Sequence, residues 1–166
     1  ELLQHLVDLG LNYYALPEAL GGVAAEQNIV SNILIAESLA KGDFSLTAGL
    51  LSTFSVINAI TRWGSTQVQS MYLPVFAEDT DVTATFAFQE ATPAFNPYQL
   101  KTIATETNGQ FVITGEKTLV ILGDTADVFL VSVEFNGQPD IFVVQSNESI
   151  AIKANPAMGL KATETA

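Results

Sequence analysis

The sequence predicts an α+β fold, with an N-terminal helical domain over residues 1–80 followed by an antiparallel β domain of sandwich or barrel type over residues 81–166. Two observations predict this division. Apolar residues recur at helical spacings of three and four up to the acidic stretch at residues 78–81, whereas short runs of Val, Thr, Phe and Ile dominate beyond it. Because helices and strands do not alternate along the chain, a doubly wound parallel sheet is disfavoured.

Four helices are predicted in the N-terminal half. The first covers residues 2–9, where leucines recur at spacings of three and four, and it ends at Gly10. A loop that contains Pro17 and two consecutive glycines follows. The second helix begins near Ile29 and stops at Gly42, because glycine is the usual residue just beyond a helix end.

The third helix is the longest of the four. It is predicted over residues 44–63, with Asp43 as its N-cap and Gly64 at its end, and at about 1.5 Å per residue it is about 30 Å long. Polar residues interrupt its apolar sequence, so it is predicted to be a buried helix and not a membrane span. The helical half is predicted to close at Pro74, after a fourth helix capped by Ser65.

The C-terminal half is predicted to form β-strands connected by tight turns. The predicted strands cover residues 82–88, 99–106, 110–113, 117–122, 128–135, 141–145 and 150–153. Asn108-Gly109 and Asn136-Gly137 lie between strand candidates, and both residue types adopt the positive φ angles that two-residue hairpin turns require. These turns indicate antiparallel pairing of their flanking strands.

Composition and charge exclude several classes of function. The chain has 166 residues, of which 48% are apolar, so it can bury a sizeable core and is not a disordered chain. Six Lys and Arg against 18 Asp and Glu give a net charge of -12, which opposes binding to nucleic acid. There is no Cys and only one His, His5, so a thiolate or histidine metal site is excluded.

Local motifs point to little chemistry by themselves. The sequence contains neither a dinucleotide-binding nor a phosphate-binding glycine loop. A serine-hydrolase mechanism would need His5, which is better explained as an ordinary helical residue. The carboxylates of Glu78, Asp79 and Asp81 lack the spacing of a calcium loop and are expected to form a solvated linker.

Longer segments carry a further signal when they are taken in order. They are LGL at residues 9–11, LPE and GG at 16–22, AESLAKGD at 36–43, WGSTQ and YLP at 63–74, FAFQE at 86–90, TGEK at 114–117 and MGLKATET at 158–165. In this order they resemble the acyl-CoA dehydrogenase family of flavoproteins over nearly the whole chain. The order and the spacing both match those of the family. The resemblance implies an N-terminal helical domain, a middle β domain, and a C-terminal helical domain that is expected outside these residues.

The resemblance also implies a cofactor and a reaction. In the family, FAD lies between the β domain and the C-terminal helices, a carboxylate removes the α-proton of an acyl-CoA thioester, and the β-hydride passes to the flavin. That carboxylate commonly belongs to the C-terminal helices, so no catalytic residue is assigned within residues 1–166 and this chain alone is expected to be inactive. The implied partners are an electron acceptor such as an electron-transfer flavoprotein and further copies in a homodimer or homotetramer. A cytoplasmic location is expected.

Ten residues are carried over from the family as site candidates. Those matching cofactor-binding positions are Phe86, Phe88, Gln89, Ala94, Phe95, Leu119, Val120 and Ile121, and those matching substrate-binding positions are Thr47, Leu51 and Phe95. Three of them depart from the family pattern: Phe95 replaces a Ser, Leu119 an aromatic residue and Ile121 a Thr. The segment at 119–122 is equally well explained as plain β core, and the shared face of Thr47 and Leu51 as helix packing.

Several alternatives remain open at this point. Glu90 is expected to be a strand-end carboxylate that accepts hydrogen bonds from neighbouring backbone, and not the catalytic base. Four of the six cations, Lys101, Lys117, Lys153 and Lys161, lie in the β half, where the family binds its anionic ligands. For function, a flavoprotein oxidase or monooxygenase of the same fold is one alternative, and a non-catalytic relative that serves as an assembly module is another.

Overall fold

The structure is a computed structural model that describes residues 10–23, 28–79, 81–155, 158 and 163–166. The helix predicted at residues 2–9 lies outside the described residues. The helices are α1 (Leu11–Ala15), α2 (Ile29–Ala40), α3 (Phe44–Trp63) and α4 (Thr66–Glu78), and a single 3₁₀ turn covers Glu18–Leu20. The strands are β1 (Ala84–Ala87), β2 (Ile103–Thr107), β3 (Gln110–Thr114), β4 (Val128–Phe135) and β5 (Gln138–Gln145).

Side-chain caps define where the helices begin. The Asp43 carboxylate accepts a hydrogen bond from the Leu46 N–H at 2.9 Å, and the Ser65 hydroxyl accepts one from the Val68 N–H at 3.2 Å. Each cap satisfies an N–H group that has no partner within its own helix. Both caps are therefore confirmed, as are the predicted bounds of α3.

The predicted end of α4 at Pro74 is wrong, because the helix continues through this proline to Glu78. Proline has no N–H to donate, so the turn loses one helical hydrogen bond. Burial on both sides of the proline holds the helix together: Leu73 is 3% exposed and Phe76 is fully buried. The α4 helix ends one turn later, where the Asp79 N–H donates to the Val75 carbonyl.

The strands form one mixed sheet, and not the wholly antiparallel arrangement predicted. Its order is β1-β4-β2-β3, and β5 also pairs with β4. The β2–β3 and β4–β5 hairpins are antiparallel, and Asn108, Gly109, Asn136 and Gly137 all have positive φ, as the turn prediction requires. Both β1 and β2 pair with β4 in parallel, on the edge that β5 leaves open.

Two predicted strands are not strands. The segment at residues 117–122 is a loop in which Leu119 and Leu122 each have φ of 55°, a conformation incompatible with an extended strand. This loop pairs irregularly with the end of the described chain: the Val120 N–H donates to the Ala166 carbonyl at 2.8 Å, and the Ala166 N–H donates back to the Val120 carbonyl at 3.1 Å. Residues 150–153 are irregular because Ile150 closes a turn onto the Asn147 carbonyl and packs beside a small core cluster.

The main core lies between the helices and the sheet. Its buried residues come from α1, the turn after it, α3, α4, β1 and β4, and they are Ala15, Leu16, Phe54, Val56, Ile57, Ile60, Tyr72, Leu73, Phe76, Ala84, Val128 and Leu130. The Thr53 hydroxyl accepts a hydrogen bond from the Ala84 N–H at 3.0 Å and also lies 3.4 Å from the Ala84 carbonyl. This contact fixes α3 against β1 at the place where the candidate site forms.

The α3 helix has the length and composition of a membrane span, with 20 residues and a mean hydropathy of 1.4 over its most apolar 18 residues. Nine of its residues are buried within the fold, among them Phe54 and Ile57. It also contacts α1, α2, α4 and β1. Apart from Phe44 and Trp63 at its two ends, which are exposed, its apolar side chains are buried or half-buried, which agrees with the prediction of a buried helix.

Candidate functional site

A cavity of about 260 Å³ lies where α3, β1 and the 119–121 loop of the described chain meet. Its lining residues are Ala48, Leu51, Ser52, Ser55, Thr85, Phe86, Leu119 and Ile121. The four lining residues of α3 are spaced three and four apart, so they form one face of the helix. A cavity that is mainly apolar, with a few polar groups, has the character of a small-molecule binding site.

The cavity brings together residues predicted for two different roles. Phe86, Leu119 and Ile121 are predicted from the resemblance to contact the flavin, and Leu51 is predicted to line the acyl pocket. These positions are far apart in the sequence and share one lining only because α3 packs across β1. Leu119 is 56% exposed, so its side chain is available to a bound molecule.

Two predicted residues lie next to the cavity without lining it. The Phe88 ring packs against the Phe86 ring, with the centroids 4.9 Å apart and the planes inclined at 56°. The Gln89 carbonyl accepts a hydrogen bond from the Thr118 N–H at 2.9 Å. Both residues thereby connect the end of β1 to the loop that carries Leu119 and Ile121.

The remaining predicted residues lie elsewhere. Val120 is 6% exposed and packs in a small core cluster with Ala87, Leu122, Ala126 and Phe129, so its side chain does not reach the cavity. Thr47 is buried, and its hydroxyl donates to the Asp43 carbonyl at 2.7 Å. Ala94, with φ of 54°, and the half-buried Phe95 belong to the long loop between β1 and β2, away from the cavity lining.

A buried ion pair joins Glu90 to Lys117 beside this site. The Glu90 Oε1 and Lys117 Nζ atoms are 2.9 Å apart, and the two side chains are only 4% and 8% exposed. Lys117 Nζ also donates to the Ser132 hydroxyl at 2.9 Å and lies 3.4 Å from the Phe88 carbonyl. The Lys117 ammonium group therefore connects the 117–122 loop to β4 and to the residues just after β1.

The Glu90 carboxylate is surrounded by donors. Besides Lys117, it accepts hydrogen bonds from the Lys101 N–H at 2.9 Å, the Thr102 N–H at 2.9 Å and the Thr102 hydroxyl at 2.8 Å. Although burial by itself raises the pKa of Glu90, the Lys101, Lys117 and Thr102 hydrogen bonds together lower it to about 2. The prediction that Glu90 accepts backbone hydrogen bonds is therefore confirmed.

Lys117 has a structural role that the sequence alone did not indicate. Its burial lowers the pKa of the ammonium group, and the hydrogen bond and charge of Glu90 act in the opposite direction. Because its donors point to Glu90, Ser132 and Phe88, Lys117 is not available to bind an anionic ligand, contrary to what its position in the β half suggested. The signal that could have found it is the TGEK segment, where a lone lysine precedes an apolar run.

Backbone N–H groups in and beside the 119–121 loop differ in their hydrogen bonding. The N–H groups of Val120 and Leu122 donate to the Ala166 and Thr163 carbonyls. Those of Leu119 and Ile121, which alternate with them, have no hydrogen-bond partner among the residues that the structure describes. These two N–H groups are therefore candidate donors to a bound molecule. Within the described ranges, no group of three or more His, Cys, Asp or Glu side chains could hold a metal ion.

Comparisons with known proteins agree with this architecture. Residues 1–80 match the family described as acyl-CoA dehydrogenase, N-terminal domain. A probable short/branched chain specific acyl-CoA dehydrogenase of Dictyostelium discoideum is 29% identical over 99% of this chain and 41% of its own length. The mitochondrial short/branched chain specific acyl-CoA dehydrogenase of Rattus norvegicus is 27% identical over 99% of this chain and 39% of its own length.

Solved structures give the same picture. A Bacillus anthracis acyl-CoA dehydrogenase complexed with FAD matches with a TM-score of 0.80 and 26% identity over 99% of this chain and 29% of its own. The butyryl-CoA dehydrogenase of Megasphaera elsdenii has the same fold, with a TM-score of 0.82 and 24% identity over 99% of this chain and 45% of its own. The chain thus spans less than half the length of these relatives. The family match, the curated relatives and the solved structures all support a fragment of the acyl-CoA dehydrogenase family.

Proposed function

We propose that the protein that carries this chain is an FAD-dependent acyl-CoA dehydrogenase, which desaturates the α,β bond of an acyl-CoA thioester and transfers hydride to the flavin. The observation that carries the proposal is that residues predicted to contact the flavin and a residue predicted to line the acyl pocket share the lining of one cavity. Phe86, Leu119 and Ile121 form one part of this lining and Leu51 the other. A flavin and an acyl group bound there would be in contact, as hydride transfer requires.

The residues around the cavity fit a flavin ring. Phe86, Leu119 and Ile121 provide apolar surface for the ring faces, and the N–H groups of Leu119 and Ile121 can donate to polar atoms at the ring edge. When bound, FAD supplies the hydride acceptor. The replacement of a family Thr by Ile121 removes a side-chain donor, but it leaves the backbone donor of the same residue in place.

The ion pair beside the cavity has the role of a scaffold in this proposal. Lys117 and the Thr118 N–H connect residues 88–90 to the loop that carries Leu119 and Ile121. Glu90 cannot serve as the general base, because its low pKa and its ring of donors leave it with little affinity for a proton. We infer that the base is contributed by a part of the protein outside these residues, and that the chain alone is inactive.

The visible absorption spectrum of the complete protein, recorded before and after anaerobic addition of a saturated acyl-CoA, tests the proposal. Flavin bands that bleach on addition are expected, because hydride transfer reduces the ring. Flavin bands that persist with every acyl-CoA would instead indicate an oxidase or monooxygenase acting on another substrate. A protein that binds no FAD would contradict the proposal and favour a non-catalytic assembly module.

The proposal extends to partners that the family implies. Reduced flavin needs an electron acceptor, for which an electron-transfer flavoprotein is the candidate, and the protein is expected to assemble as a homodimer or homotetramer. Stopped-flow reoxidation with a purified electron-transfer flavoprotein and sedimentation of the complete protein test these two statements. A cytoplasmic location stays a prediction.

A further inference from the structure

Three hydroxyl groups line one wall of the cavity. Ser52 and Ser55 come from successive positions on the cavity face of α3, and Thr85 comes from β1 beneath it. The Ser52 and Thr85 hydroxyl oxygens are 3.0 Å apart and share a hydrogen bond. The family resemblance assigned none of these three residues to a site.

This wall has unused hydrogen-bonding capacity. The Ser52 hydroxyl donates its proton to the Thr85 oxygen. The Thr85 proton and the remaining lone pairs of both oxygens can therefore form further hydrogen bonds. The Ser55 hydroxyl has no hydrogen-bond partner among the described residues. Two other polar side chains of α3 donate to the carbonyl four residues earlier, Thr47 to Asp43 and Asn58 to Phe54, and Thr53 and Thr61 bond to more distant segments. Ser55 differs from them because it opens onto the cavity.

The rest of the lining defines what such a wall can bind. Ala48, Leu51, Phe86, Leu119 and Ile121 are apolar, and no lining residue carries a charge. An ionised group in the cavity would therefore lose its water without gaining a counter-charge, which is strongly unfavourable. A purely hydrocarbon group would cover the Ser55 hydroxyl without giving it a partner, which is also unfavourable. A neutral group that contains an oxygen atom avoids both penalties.

We propose that this cavity selects acyl groups whose tail carries a neutral oxygen function, a hydroxyl, ketone or ether, which binds to Ser52, Ser55 and Thr85. The inference rests on the proposed acyl-CoA dehydrogenase function and names its substrate class. Ala48 and Leu51 of α3 contact the carbon atoms of the tail and the hydroxyl wall contacts its oxygen, while Phe86, Leu119 and Ile121 contact the flavin ring.

Titration calorimetry on the complete, flavin-loaded protein tests the proposal through binding and not through turnover. The two probes are an alkanoyl-CoA and the hydroxyacyl-CoA of the same chain length, with its hydroxyl one carbon from the tail end. The hydroxyacyl-CoA is expected to bind about tenfold more tightly, the ratio that one well-placed neutral hydrogen bond produces. In the Ser52→Ala/Ser55→Ala variant the ratio should fall to about one, with the alkanoyl-CoA bound at least as tightly as before.

A matched control is Ser70→Ala, which makes the same chemical change on the exposed surface of α4, away from the cavity. It should leave the ratio unchanged. Equal binding of the two probes to the unaltered protein, or an unchanged preference in the double variant, would overturn the inference while leaving the proposed function intact. Failure of both probes to bind would overturn the proposed function together with it.

Discussion

Replacing Lys117 with methionine tests whether the buried ion pair holds the site together. Methionine keeps much of the length of the side chain but removes the ammonium group, and with it the contacts to Glu90, Ser132 and the Phe88 carbonyl. Breaking a buried pair by removing one partner typically costs 3–5 kcal/mol, because the remaining charge is left uncompensated. Glu90 keeps its donors from Lys101 and Thr102, so we expect a loss at the lower end, about 3 kcal/mol.

Urea denaturation followed by circular dichroism measures this loss as a shift of the midpoint at unchanged slope. The matched control is Lys41→Met, which removes the exposed ion pair with Glu37, whose partners are 3.2 Å apart and 72% and 60% exposed. Exposed pairs of this kind contribute about 0.5 kcal/mol or less. The double variant Glu90→Gln/Lys117→Met should recover part of the loss, because a neutral amide needs no counter-charge.

The reasoning would be refuted if Lys117→Met lost no more stability than Lys41→Met. Such a result would mean that the Lys101 and Thr102 donors alone satisfy the Glu90 carboxylate. A loss in Lys117→Met that the double variant did not reduce would refute the charge argument in particular, and would assign the effect to packing around the lysine stem.

Three further predictions concern the same region. The pKa of Glu90 is about 2 in the folded protein against an ordinary value of 4.5, so its contribution to stability is complete above about pH 4.5 and is lost as the pH falls. Urea denaturation at a series of pH values should show the free energy of unfolding decrease on the order of 3 kcal/mol by pH 2. The decrease should be smaller in Glu90→Gln. Gly115→Ala would place its Cβ 2.5 Å from the Thr102 hydroxyl oxygen, so the free energy of unfolding should fall by about 1–3 kcal/mol. Thermal denaturation should show this loss as a lower melting temperature, and an unchanged melting temperature would show that the loop can shift. Thr53→Val keeps the side-chain shape but leaves the buried Ala84 N–H unpaired, and should cost about 1–3 kcal/mol in urea denaturation; no loss would count against that bond as the link between α3 and β1.

The candidate site was only partly predictable. The resemblance supplied Leu51, Phe86, Leu119 and Ile121 as separate candidates with separate roles, and the cavity joins all four. Ser52, Ser55 and Thr85 were not candidates, because a serine in a helix or a threonine in a strand carries no local signal of binding. Their significance depends on which face of α3 rests on β1, and that contact lies between segments more than 30 residues apart. Lys117 was noted only as one of four cations in the β half, and its burial beside Glu90 gives it a structural role.

The sequence by itself determined the features that depend on neighbouring residues. Asp43 and Gly64 delimit α3, and the two Asn-Gly pairs make the hairpin turns, because caps and tight turns are local interactions of a few residues. Only the tertiary structure decided the continuation of α4 through Pro74, the parallel pairing of β1 and β2 with β4, and the loop at residues 117–122. In each of these cases, burial against a distant segment or pairing with it outweighs the local preference. The spacing of residues along the chain does not predict which distant segment will be the partner.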